Sequence, residues 1–346
     1  MIVINGRFLT QKITGVQRFA IDIAIRLKEQ RNDVLVLAPK DIIHKEISEK
    51  LEAKIVKGYI GHLWEQITLP LYLNKINNPI LLNLTNSAPI FYGNKITTIC
   101  DISNITNPEW FSNKYKYFYR VLTPIIVRTS KKIITISEFS KNEIHKHLHK
   151  PLEEIEVVYC ALPTNFEVLD KNLYIHKKKF FLCVSSINPR KNFNRTIEAF
   201  IKWNKLDYQL YIVGEKSNSF ANHQLLNKRN ENIKFLGRVS DDELSTLYKE
   251  AKGFLYLSLY EGFGIPPLEA QALNCPVLAS DIPVLREVLQ ESAIFCDPTN
   301  IFDIILGIDK LAFTDIDLYI QRGKENIKRF DWSKSTQKIS KIVKEI

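Results

Sequence analysis

The sequence predicts an α/β protein of two Rossmann-like, doubly wound domains facing a cleft. Three observations predict it. The chain has 346 residues, room for two domains at roughly 150 residues each. Short apolar runs that read as buried strands alternate with stretches of helical periodicity, the pattern of βαβ units around a mostly parallel sheet. The alternation breaks once, between 159 and 179, where Pro163 and the run KNLYIHKKK interrupt it, and then restarts. The domains are therefore placed at 1–165 and 175–325, with a last amphipathic helix over 326–346.

In the first half, MIVIN reads as a strand and 16–28 as a helix, with Val16, Phe19, Ala20, Ile23 and Leu27 at helical spacing. DVLVLAP (33–39), ILLNLT (80–85), KITTIC (95–100) and KKIITIS (131–137) are strands, and helices are expected around 62–75 and 115–129. In the second half, FFLCVSS (180–186), YQLYIVG (208–214), NIKFLG (232–237), GFLYLS (253–258), CPVLAS (275–280) and AIFC (293–296) are strands. Helices are expected at 192–203 and at 240–251, where Ser-Asp-Asp-Glu can cap the start.

Composition narrows the function classes. Apolar residues make up 45% and charged residues 25%, ordinary for a globular protein and unlike a disordered, collagenous or disulfide-stapled chain. No apolar run approaches the roughly 20 residues that span a bilayer. The N-terminus MIVINGRF lacks a basic region and signal core, so export is not expected. The five cysteines are scattered without a CxxC pair, as reduced core thiols in a cytoplasm would be. The net charge of +10 favours anionic partners. It concentrates over 110–132, where Lys114, Lys116, Arg120, Arg128, Lys131 and Lys132 interleave with Tyr115, Tyr117, Phe118 and Tyr119 and no acid intervenes. That stretch is able to rest on an anionic membrane surface, but on sequence alone a solvated helix face with an apolar underside is the stronger reading. Nucleic acid is not expected, because no recognition motif accompanies the charge.

In open α/β sheets, ligands bind beyond the carboxyl ends of the strands, so the loops after strands carry the chemistry. The most informative segment is SLYEGFGIPPLEAQALNCPVLASDIPVLREV, 258–288. Glu261 follows a strand end, and Gly262, Phe263 and Gly264 let the backbone approach a ligand. Ile265 and two prolines then start a helix, with Glu269 expected in its first turn. A helix N-terminus aimed into a cleft attracts anions. Carboxylates repel a phosphate, so Glu261 and Glu269 suit hydroxyl groups. A sugar nucleotide offers diphosphate, ribose hydroxyls and hexose hydroxyls together.

The pair Glu261-x7-Glu269 within EGFGIPPLEA resembles the signature of the retaining family-4 glycosyltransferases, which have the GT-B fold. Further segments resemble that family in order along the chain: GVQR (15–18), HLWEQITLP (62–70), NPEWF (107–111), ITISEFSK (134–141), NPRKN (188–192), YIVG (211–214), FLGRVSDDEL (235–244) and the closing FDWSKS helix, which in the family crosses back onto the N-terminal domain.

The resemblance implies roles residue by residue. Glu269 accepts hydrogen bonds from ribose and Glu261 holds hydroxyls of the transferred sugar. Gly262, Phe263, Gly264 and Ile265 present the loop and helix start to sugar and diphosphate. Lys191, with Arg190, neutralises the leaving diphosphate. Arg238 and Val239 lie where the family holds the base, and Gly15 and Val16 where the N-terminal domain approaches the diphosphate. Asp101 is the N-domain carboxylate to test near the acceptor; capping the next turn is its other reading. Three departures stand out. Cys100 occupies a position where many relatives carry a donor-contacting histidine, Ser185-Ser186 replace a Gly-Arg pair, and Pro266 and Pro267 remove amides from the helix start.

The expected activity is transfer of a hexose, mannose or rhamnose in first place, from a nucleotide-diphosphate sugar to a saccharide acceptor. That acceptor is expected to be lipid-linked, in O-antigen, capsule or lipopolysaccharide synthesis. No carboxylate is placed as a nucleophile, so a retaining, front-face transfer is expected, run by positioning and electrostatics. No Asp-x-Asp motif occurs in the cleft loops, and neither metal nor cofactor is expected. The location expected is the cytoplasm, peripheral at the inner face of the plasma membrane. His145, His147 and His149 read as a solvated helix end. The rival readings are a sugar-nucleotide epimerase or hydrolase of similar fold and a non-catalytic binding member.

Overall fold

A computed structural model describes residues 1–163, 166, 168–169, 177–215 and 231–346. Most of the interrupting run KNLYIHKKK, and both expected domain edges at 165 and 175, lie outside those residues. The chain divides into two compact units: one of Met1–Thr106, Tyr117–Cys160 and Asp331–Ile346, the other of Asn107–Lys116 and Ala161–Phe330.

The first unit is built on strands β1 (Ile2–Asn5), β2 (Val34–Ala38), β3 (Lys54–Ile55), β4 (Ile80–Asn83), β5 (Lys95–Thr98), β6 (Lys132–Thr135) and β7 (Ile155–Val157). Their order is β3-β2-β1-β4-β5-β6-β7, and every pairing is parallel. The second unit uses β8 (Lys178–Val184), β9 (Gln209–Val213), β10 (Ile233–Gly237), β11 (Ala251–Tyr256), β12 (Val277–Ser280) and β13 (Ile294–Cys296). Their order is β10-β9-β8-β11-β12-β13, again all parallel. Each unit is therefore a doubly wound α/β sheet, as the alternation predicts. Strand order reverses between β1 and β4 in one and between β8 and β11 in the other. At such a switch point the flanking loops leave in opposite directions and open a crevice at the strands' carboxyl ends.

Central strands of both sheets are buried on both faces, which is why they read as unbroken apolar runs. Edge strands β3 and β7 are too short to show in the sequence. The strand expected over 95–100 stops at Thr98, and the Cys100 amide turns to donate to Asn86 Oδ1 at 2.7 Å. The helix expected over 62–75 runs from Gly61 to Lys75 but widens into a π turn over Trp64–Thr68. Pro70 accounts for it: the ring cannot donate to the Gln66 carbonyl and would clash with it in an α-helix.

The closing helix, Trp332–Lys344, belongs to the first unit. Its Trp332 lies 5.9 Å from Phe19 and under the Arg26 guanidinium, and Ser335 Oγ donates to the Tyr159 carbonyl at 2.7 Å. The second core gathers Phe181, Trp203, Tyr208, Leu278 and Ile308. All five cysteines are free and buried.

Lys95 is fully buried in the first unit. Its Nζ donates to the Tyr92 carbonyl at 2.7 Å and to Thr129 Oγ1 at 2.8 Å. Burial, helped by the Lys150 charge, brings its pKa down to about 8. Between that value and the ordinary 10.5, the unfolded chain binds more protons than the native one. Stability therefore climbs with pH across this window. Urea unfolding at pH 7.5 and pH 10 should show wild type gaining about 2 kcal/mol relative to Lys95→Met; parallel curves would refute it.

Candidate active site

The switch point of the second unit brings together residues that are seventy positions apart. Lys191 lies in the loop after β8 and Glu261 in the loop after β11. The sequence Asn-Pro-Arg-Lys-Asn shapes the first loop. Pro189 opens a short 3-10 turn over Pro189–Lys191, and Asn192 closes it with left-handed backbone, φ 57°. Asn192 Nδ2 also donates to the Pro298 carbonyl at 2.7 Å, fixing the start of helix Phe193–Trp203. The two loops are joined directly: the Leu259 amide donates to the Arg190 carbonyl at 2.8 Å.

On this frame Lys191 Nζ donates to Glu261 Oε1 at 2.5 Å, with the two side chains only 9% and 7% exposed. Nζ also reaches Tyr256 Oη at 3.3 Å and lies 5.2 Å from the centre of that ring. Burial alone would raise the Glu261 pKa. The Lys191 charge, the Arg190 charge and bonds from Lys191 and Ser258 outweigh it and hold the carboxyl below its ordinary value of 4.5. Burial, and next the Glu261 charge, push the Tyr256 hydroxyl well above its ordinary range, so it stays neutral. The result is an ionised, pre-positioned cation–carboxylate pair at the mouth of a parallel sheet.

Gly264 precedes helix Ile265–Ala272 with φ +112°, a conformation that favours glycine, and a Cβ there would come 3.0 Å from Leu285 Cδ2. Ile265 is the first helical residue and Glu269 the fifth. Glu269 therefore sits in the second turn, not the first as the sequence suggested, because Pro266 and Pro267 occupy the first. It is 7% exposed, and Tyr248 donates to its Oε2 at 3.1 Å. Gly262 and Phe263 are buried, and Phe263 meets Phe330 edge-on at 5.3 Å.

Arg238 and Val239 follow β10, Arg238 exposed and Val239 half-buried; Ser240 and Glu243 form the expected capping box of the next helix. Gly214 follows β9 with φ +142°, where a Cβ would fall 1.9 Å from the Ser185 carbonyl, so only glycine lets that loop pass. Ser186 is held by Asn188, whose Nδ2 donates to its carbonyl and Oγ, both at 3.0 Å.

Four predicted residues belong to the first unit. Gly15 opens helix Gly15–Gln30 behind a Thr14–Gln17 capping box, and Val16 follows it half-buried. Cys100 is 4% exposed, with its thiol pKa driven up by burial and then by Asp101. Asp101 Oδ1 accepts from the Ser103 amide at 2.9 Å and from its hydroxyl at 2.6 Å, the capping geometry.

Sequence reasoning missed Tyr256, Tyr248 and Trp110. Tyr256 and Tyr248 read as strand and helix core; their hydroxyls gave no signal. Trp110, in the segment that joins the second unit, stands edge-on to Tyr260 at 6.3 Å, next to Glu261. It therefore leaves the basic-aromatic stretch that was read as one surface. Among the described residues no group of three or more histidine, cysteine or acidic side chains could hold a metal ion.

Residues 165–326 match the family described as "Glycosyl transferases group 1". The O-antigen chain mannosyltransferase RfbU of Salmonella typhimurium is 29% identical over 326 residues, covering 86% of this chain and 87% of that one. The O-antigen chain mannosyltransferase B of Escherichia coli is 29% identical over 259 residues, 70% of this chain and 68% of that one. Among solved structures, Anabaena HepE in complex with UDP-glucose superposes with TM-score 0.74 at 17% identity, covering 100% of this chain and 99% of that one. WaaG, a glycosyltransferase involved in lipopolysaccharide biosynthesis, gives 0.73 at 15% identity over 99% of both chains.

Lys191→Met removes the cation and leaves a buried carboxylate. Losing one member of a buried pair costs about 3–5 kcal/mol, and the nearby Arg190 charge keeps the loss near the lower end. Lys191→Met/Glu261→Leu should recover most of it in urea unfolding. The deficit of the single variant should shrink as pH falls into the acid range, because without Lys191 the buried Glu261 takes up a proton at higher pH than it does in wild type. A double variant no more stable than the single one contradicts the pairing.

Proposed function

We propose, from the premise that this chain belongs to the glycosyl transferases of group 1 and has the GT-B fold, that it transfers a mannose-type hexose from a nucleotide-diphosphate sugar to a lipid-linked saccharide. The product is a bacterial surface polysaccharide of the O-antigen class. The observation that carries this reading is the buried Lys191–Glu261 pair at the sheet's switch point, with Arg190 beside it. The names of the mannosyltransferase relatives support mannose.

The chemistry follows from charge. Breaking the anomeric C–O bond leaves negative charge on the departing diphosphate, where Lys191 and Arg190 stabilise it. Glu261, already ionised, accepts hydrogen bonds from hydroxyls of the transferred sugar, and Glu269 from the ribose. Lys191 also keeps the carboxylate from repelling the phosphate. The acceptor oxygen forms its bond to the anomeric carbon on the face the diphosphate leaves. Its proton passes to a phosphate oxygen, so configuration is retained without a protein nucleophile. In this scheme neither metal nor cofactor is required.

Membrane association is the second part of the proposal. No described helix is long and apolar enough to cross a membrane. Helix Asn113–Thr129 buries Leu122, Ile126 and Val127 but leaves Tyr117, Phe118, Val121 and Ile125 exposed, 37–64% each. Ile60, Leu63, Ile67 and Leu71 form a second exposed apolar row, 40–59% each. The His62 ring meets Phe118 at 5.2 Å and brings the rows side by side. Lys57, Arg120 and Arg128 are also exposed on the same segments, and these rows suit the anionic inner leaflet facing the cytoplasm.

With GDP-mannose as donor, Lys191→Ala should lower kcat by about 100-fold or more, the usual effect of removing a group aimed at developing charge. Glu269→Ala should weaken the rise in melting temperature that GDP, UDP or dTDP produces. Transfer that survives Lys191→Ala and Glu261→Ala would overturn the reading. The membrane part is checked by sedimentation with phosphatidylglycerol vesicles: wild type should bind in a salt-sensitive way, and Val121→Glu/Leu71→Glu should not. Equal binding by both removes that part.

A further inference from the structure

The first unit holds its own buried carboxylate at its own switch point, and the scheme above does not use it. Glu65 is fully buried in the π turn. Its Oε1 accepts from Asn5 Nδ2 at 2.8 Å, Ser87 Oγ at 3.0 Å and Arg7 Nε at 3.1 Å. Arg7 Nη2 also donates to Ser87 Oγ at 2.6 Å, and Asn5 Nδ2 to Asn83 Oδ1 at 2.9 Å. Asn5 ends β1 and Asn83 ends β4, so the cluster closes the point where strand order reverses.

All three donors serve one oxygen. Glu65 Oε2 has no hydrogen-bond partner among the described residues, an arrangement rare for a buried carboxylate. His62 Nδ1 stands 3.6 Å from it and also lacks a hydrogen-bond partner among the described residues. Burial would raise the Glu65 pKa, but its neighbours, the Arg7 charge first, bring it below the ordinary value. His62 itself is 39% exposed, and its ring stands edge-on to Phe118 at 5.2 Å and Tyr119 at 6.3 Å. With Nδ1 buried, its open edge is the one bearing Nε2. A buried anion therefore faces a partly exposed imidazole across a gap that a movement of under about 1 Å would close.

We propose that this π turn forms the subsite for the acceptor sugar, with His62 as a binding residue and Glu65 as the positioning residue behind it. The assignment rests on the transfer reading above. The Glu65 carboxylate selects the tautomer with hydrogen on Nδ1, which leaves the Nε2 lone pair to accept a hydrogen bond from a sugar hydroxyl. The exposed Phe118 ring offers an apolar face to the sugar's C–H surface. Seating the sugar draws the imidazole onto Oε2 and completes the carboxylate's hydrogen bonding. Aromatic walls with a few convergent polar groups are what a small-molecule subsite requires.

The test uses the full-length enzyme, GDP-mannose, and octyl glycosides of mannose, rhamnose, galactose and N-acetylglucosamine as acceptors. His62→Ala should raise the acceptor KM about tenfold, the worth of one hydrogen bond, with a smaller change in kcat. His62→Gln, which can still accept at its amide oxygen, should recover part of that loss, and the GDP-induced melting shift should persist in both variants. Glu65→Gln should raise the same KM. An acceptor KM within about twofold of wild type in His62→Ala overturns the subsite while leaving the transfer reading intact. Joint loss of transfer and of the GDP response shows a structural role and also overturns it. A wild-type enzyme that responds to GDP yet glycosylates none of the acceptors overturns the transfer reading and the subsite with it.

Discussion

A carboxylate can be kept ionised inside a protein only if fixed positive charge meets it at close range, and the second unit is organised around that requirement. Glu261 and Lys191 are both more than nine-tenths buried and lie 2.5 Å apart. Neither could remain there without the other. Their meeting depends on strand order: β8 and β11 are neighbours, so the loops after them face each other at their carboxyl ends. The Leu259–Arg190 backbone bond, the left-handed Asn192 and the glycine conformation at Gly264 all hold those loops in register. The pair gains nothing obvious for stability, since apolar residues of the same volume would serve as well or better. Its retention at the mouth of the sheet fits a group arranged to meet charge and hydroxyls on a substrate.

Much of this was legible in the sequence, and the reason differs by element. Central strands such as β1, β5, β8 and β11 are buried on both faces, so they stand out as apolar runs. The edges β3 and β7 are two and three residues long and carry no period. The loop holding Glu261 was visible because glycines, prolines and two carboxylates fall together. Glu269 was misplaced by a turn: two adjacent prolines fill the first turn of the helix and move the acid deeper.

What stayed hidden depended on contacts between distant segments. Lys191 is named by the resemblance, but its direct pairing with Glu261 emerges only when the fold brings the two loops together. Tyr256 lies in an apolar run and is indistinguishable there from packing. Trp110 sits in a stretch whose composition suggested one continuous basic surface, yet the chain passes it to the other unit. Composition cannot see such a crossing, because no local property of NPEWF changes at the boundary. The 62–75 helix shows the same limit: Pro70 widens it into a π turn, but that the turn closes around a buried glutamate depends on the packing of Trp64 and the bonds to Glu65.

The two units answer the same topological opportunity with different chemistry. Each reverses its strand order once, and each places one buried glutamate at that reversal, with a cation reached from the loop after the first central strand: Lys191 after β8, Arg7 after β1. In the proposed scheme, Lys191 and its neighbour Arg190 in the second unit meet the charge that develops on the departing diphosphate. In the first, Arg7 is spent on one oxygen of Glu65 together with Asn5 and Ser87, and a histidine stands before the other. In the proposed subsite, a histidine ring oriented by that anion turns a hydrogen-bonding edge toward a hydroxyl. If the proposed scheme holds, the division of labour between donor and acceptor follows from which partner each buried carboxylate keeps for itself and which it leaves open.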